Sequence, residues 1–130
     1  MAMVTFVDET TAGDRAAAWH LEIFEERLAL GELIRRRVFQ EVAEHNARGG
    51  DVFRGLVQPA GAEKRPDGFR LPEPRKVDAD QQANRALEAF QRNGFVVLVD
   101  DRQVEGLDTV VELSRGTEIT FLKLVPLVGG

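Results

Sequence analysis

The chain has 130 residues, 43% hydrophobic and 30% charged, which suffices for one packed core and is short for two domains. Its 22 acids against 17 bases leave a net charge of -5, which disfavours nucleic acid or an anionic membrane as partner. With no Cys, it has no disulfide, thiolate metal site or catalytic thiol.

The opening MAMVTFVDET lacks a basic start followed by an apolar stretch, and no apolar run approaches the ~20 residues of a membrane span. The expectation is one cytoplasmic domain over residues 1–130. In MVTFVD, residues 3–8, alternation and β-branched or aromatic residues predict a strand, followed by turn chemistry in ETTAGD. RAAAWHLEI, residues 15–23, predicts a second strand with Trp19, Leu21 and Ile23 on one face, so the two form a hairpin. From about Leu28 to His45 the period changes. Leu30, Leu33, Ile34, Val38 and Val42 fall on one helical face, Glu25 and Glu26 lie towards the N-terminal end, and Gly49-Gly50 stops the segment. Gly31 weakens the start of that helix by up to ~1 kcal/mol relative to Ala.

Residues 49–77 hold four of the five prolines and show no sustained period, so a long inserted loop is expected. Phe53, Leu56, Val57 and Phe69 are more apolar residues than a disordered linker carries, so this loop either folds back or waits for a partner. Asp78 has N-cap chemistry with Gln81 three positions on. Ala83, Leu87 and Phe90 then form an apolar stripe that ends at Asn93-Gly94, predicting a second, shorter helix. FVVLV, residues 95–99, predicts an inner strand. TVVEL, residues 109–113, and EITFLKLV, residues 118–125, predict two more around the turn SRGT.

Arg35-Arg36-Arg37 read most simply as a solvated helix face, although three guanidinium groups could meet phosphate. His20 and His45, the only histidines, have no further ligands grouped near them in sequence and are expected to be structural. Trp19 is expected in the core, and the Pro-Glu-Pro step at 72–74 as a stiffener of the loop.

Three stretches carry a resemblance to a known family: VTFVDE…WHLEI…LGELIRRRV, FVVLVDDRQVEGLDTVVEL and RGTEITFLKLVPLVGG. Together they resemble the ubiquitin-like β-grasp superfamily, above all the sulfur carriers of molybdopterin and thiamine synthesis and the ubiquitin-like modifiers with a terminal Gly-Gly. The resemblance implies an α+β fold with a mixed sheet of four to five strands packed on a helix. Ile119 and Phe121 of the last strand would then face the helix, with Thr120, Leu122 and Leu124 on the opposite side. The chain departs from the sulfur carriers in the 49–77 insertion, in Asp100-Asp101 at an Asn-Gly type turn, in Thr117 where an Asp commonly stands, and in a longer tail.

What the resemblance implies for function centres on residues 124–130. Pro126 cannot donate to a ladder, so the chain should leave the sheet there as an extended tail. Leu122, Leu124, Val125, Leu127 and Val128 would form an apolar docking strip, and Gly129-Gly130 the conjugation end. Gly lacks the Cβ that would keep a chain end out of a narrow site. The implied partners are an adenylating enzyme of the ubiquitin-activating type, and a conjugation target, a deconjugating protease or a sulfurtransferase. No cofactor, metal, nucleic acid or membrane is implied, and the chain is not expected to be an enzyme. The product could be an isopeptide, a thioester or a thiocarboxylate. An inert chain end, and a non-covalent interaction module built on the 49–77 loop, remain the alternatives.

Overall fold

The computed structural model describes residues 2–16, 18–113 and 116–124. In chain order the elements are β1 (Ala2–Thr10), β2 (Trp19–Ile23), β3 (Arg27–Ala29), α1 (Leu30–Arg48), β4 (Val52–Phe53), β5 (Glu63–Arg65), β6 (Gly68–Arg70), α2 (Ala79–Gln91), β7 (Phe95–Val99), β8 (Arg102–Val104), β9 (Val110–Glu112) and β10 (Glu118–Lys123). The chain is an α+β protein and divides into two compact units, one of Met1–Glu32 with Arg92–Gly130 and one of Leu33–Gln91.

The first unit is built on a five-stranded mixed sheet in the order β2-β1-β10-β7-β8. β1 and β10 run parallel at its centre, with Phe6 beside Ile119 and Asp8 beside Phe121, and antiparallel partners flank them on both sides. A first strand parallel to the last, each with an antiparallel partner outside it, is the ordering of a β-grasp-like sheet. Alternation in β1 sends Val4 and Phe6 to one face, where Phe6 meets Trp19 at 4.9 Å and Phe121 at 5.6 Å between ring centroids. Phe95 continues the aromatic row, 6.1 Å from Phe121. The consecutive residues Phe6 and Val7, and likewise Ile119, Thr120 and Phe121, are all buried, so the middle of the two central strands is screened on both faces. That is why these segments read as near-continuous apolar runs.

Asp100 and Asp101 make the two-residue turn between β7 and β8, with φ of 47° and 71°. Two positive φ values define the mirror-image turn that matches the twist of a hairpin. Asp100 also uses its Oδ1 to accept the Glu118 N–H at 3.1 Å, which ties this turn to the start of β10. β8 was not anticipated, because Arg102-Gln103-Val104 is three residues long and mostly polar. The strand expected at 109–113 pairs away from the main sheet: β9 joins β3 in a two-stranded ribbon, with Leu28 opposite Val111.

In the second unit the stretch expected to be a loop is partly regular. β4, β6 and β5 form a three-stranded antiparallel sheet with β6 in the middle. Phe53, Leu56 and Leu71 are buried, so the apolar residues of the insertion are largely used in packing. The stripe Leu33, Ile34, Val38 and Val42 of α1 is buried as its spacing requires, and Gly49 closes the helix with φ 78° and an N–H donated to the His45 carbonyl at 2.7 Å. The acid of the first turn of α1 is Glu32; Glu25 and Glu26 precede β3 instead. Asp78 caps α2 by accepting the Gln81 N–H at 2.9 Å.

Candidate functional site at the exit of β10

The candidate site lies where β10 ends. The sheet positions this end firmly, because β10 has a parallel neighbour on one side and an antiparallel one on the other. Leu122 lies between Glu9 of β1 and Val96 of β7 and is half-buried. Lys123 is opposite Phe95, and its carbonyl accepts the Thr11 N–H at 3.0 Å, the last backbone bond on this edge among those described. One residue later Leu124 is 44% exposed. Of the residues expected to form a docking strip, then, Leu122 belongs partly to the sheet and Leu124 faces solvent. Val125, Leu127, Val128, Gly129 and Gly130, with the conjugation end, lie outside the described residues.

The other residues singled out in the sequence are dispersed and structural in their surroundings. His20 Nδ1 lies 3.1 Å from the Thr5 hydroxyl across β1 and β2. His45 is 1% exposed, with Nε2 at 3.1 Å from the Arg75 carbonyl and its ring edge-on to Phe53. A ring nitrogen next to a carbonyl oxygen carries a proton, so Nε2–H donates to the Arg75 carbonyl. Among the described residues no three His, Cys, Asp or Glu side chains gather as metal ligands do. No helix among them is long and apolar enough to cross a membrane.

The arginine triplet does not form one solvated face. Arg35 reaches Asp80 at 3.5 Å and lies 5.1 Å over the Phe39 ring. Arg37, by contrast, is only 1% exposed and donates to Glu41 from both Nε and a terminal nitrogen at 3.1 Å. Glu41 also accepts the Leu56 N–H at 3.3 Å, so this buried pair fastens α1 to the chain after β4. The signal for it was present as an Arg and a Glu four positions apart, but that spacing is common on exposed helix faces and carries no mark of burial.

Compared with protein-family models, with curated proteins and with solved structures, the chain matches none.

Proposed function

We propose that this is a ubiquitin-like protein whose Gly130 carboxylate is activated by a separate adenylating enzyme and then joined to another molecule. The observation that supports the reading is the parallel pairing of β1 with β10 at the centre of a β2-β1-β10-β7-β8 sheet. This ordering holds the last strand rigidly and leaves Leu124 in solvent, followed in sequence by Val125, Pro126, Leu127, Val128 and the two glycines.

The chemistry follows from the weak electrophilicity of a carboxylate. One of its oxygens attacks the α-phosphorus of ATP, forming an acyl-adenylate and expelling pyrophosphate. A thiolate, persulfide or amine then attacks the acyl carbon and displaces AMP. This chain contributes the acyl group and the docking surface, and the partner contributes the catalytic groups. Leu122 and Leu124 begin the docking strip, and Gly129-Gly130 pass through the narrow part of the partner's site.

The test is intact-mass analysis of the protein isolated from its native host, beside a variant lacking Gly130. Larger conjugates that depend on Gly130 support transfer to proteins, whereas a mass gain matching a terminal thioacid assigns sulfur delivery instead. A free acid under all growth conditions, or a mature chain that does not end at Gly130, overturns the proposal and leaves a non-covalent module.

A further inference from the structure

We infer that β2 pairs antiparallel with β2 of a second copy of this chain, about a twofold axis through Leu21. Three observations carry the inference, and none depends on the activation of Gly130.

The first is an open edge of known phase. β2 is the outermost strand of its sheet. The Thr5 N–H donates to the Thr117 carbonyl at 3.0 Å, on the β10 side of β1. Thr5 therefore turns its backbone groups away from β2, and its partner His20 is in a non-hydrogen-bonded pair. By the same alternation the N–H and C=O of His20 and Glu22 point outward, unused by the sheet.

The second is self-complementarity. With Leu21 on the axis, His20 of one copy is directly opposite Glu22 of the other, twice, and these are the residues whose backbone groups face out. Leu21 meets Leu21, Trp19 meets Ile23, and Ala18 meets Phe24. The two neighbouring registers that keep the same hydrogen bonding set Glu22 against Glu22 or His20 against His20. Two carboxylates directly opposite each other are unfavourable, and His20 against His20 forgoes a ring N–H donated to a carboxylate, so the central register is the one selected.

The third is incomplete burial at this edge. Trp19 and Leu21 lie on the buried side of β2 yet are only half-buried, and Phe24, immediately after β2, is 76% exposed. Pairing across the axis supplies each with an apolar neighbour.

The measurement is light scattering on the full 130-residue chain from micromolar to millimolar concentration, with amide hydrogen exchange at both ends of the range. The mass should rise from 14.5 kDa towards twice that value, and the His20 and Glu22 amides should become protected only at the high end. His20→Glu places carboxylates opposite each other at both ends of the interface and should raise the dimer dissociation constant several-fold. Adding Glu22→Lys to it sets opposite charges against each other across the axis and should recover the dimer. A mass of 14.5 kDa throughout, unprotected His20 and Glu22 amides at high concentration, a dimer insensitive to His20→Glu, or no recovery in the double variant would each overturn the inference.

Discussion

Two glycines that look alike in the sequence have opposite roles. Gly55 is where it is because of its neighbours: a Cβ there would overlap the ring of Phe53, which is fully buried, and would come within 3.0 Å of Glu41 Oε1. Gly31, in the first turn of α1, has no atom closer than 3.5 Å to an added Cβ. Gly55→Ala should therefore destabilise the fold by about 1–3 kcal/mol through overpacking, whereas Gly31→Ala should stabilise it by up to about 1 kcal/mol through helix propensity. Urea unfolding of the two variants beside the parent chain reads both signs, and equal effects would refute the distinction. Asp101 is a milder case. Its φ of 71° is a left-handed conformation that an L-residue occupies at a cost and Gly does not. Asp101→Gly should raise stability by roughly 0.5–1 kcal/mol without moving the β7–β8 register, checked by the same unfolding and by the amide exchange pattern of the hairpin.

At the scale of elements, sequence legibility mostly tracked length, the three-residue β9 being read all the same from the apolar residues around it. The apolar stripe of α1, the Asp78 cap of α2, the hairpin partners β1 and β2 and the inner strand β7 could all be read, because each spans enough residues to display a period or a cap. β3, β4, β5, β6 and β8 have two or three residues each, too few for any alternation to stand out, and they exist because backbone groups find partners across the chain. The burial of Arg37 escaped for a related reason, since only tertiary packing sets it apart from Arg35. That buried pair is also where an element is most fragile: the Arg37 and Glu41 side chains retain 2% and 9% of their exposure. Glu41→Ala removes the carboxylate paired with a buried guanidinium and frees the Leu56 N–H, so a loss of about 3–5 kcal/mol is expected. Replacing both partners, Arg37→Met with Glu41→Leu, should recover most of that loss. If the double variant were as unstable as the single one, packing and not the loss of the ion pair would be the cause.

The whole molecule has its charge unevenly divided. The unit that carries β10 has 13 acids and 6 bases, while Leu33–Gln91 has 9 acids and 11 bases. On the proposed reading the activating enzyme approaches a unit of net negative charge, whose long-range effect salt screens, while the apolar strip would supply the short-range contact. Of the candidate site, the last strand was legible in sequence, but the exposure of Leu124 at its end was not, because exposure there depends on what the sheet places beside it, and residues 125–130 lie outside the described residues. Leu124 separates these contributions. It is 44% exposed and follows the last residue of β10, so Leu124→Asp removes a contact of the strip without opening the core. With the activating enzyme from the same host, ATP–pyrophosphate exchange driven by this variant should fall by about tenfold or more in kcat/KM, as for the loss of an interface anchor of over about 1 kcal/mol. Its thermal midpoint should stay within about 2 °C of the parent, as surface substitutions do. Unchanged exchange by Leu124→Asp would place the docking contact elsewhere on the molecule, and a fall accompanied by a collapsed midpoint would assign Leu124 to the fold.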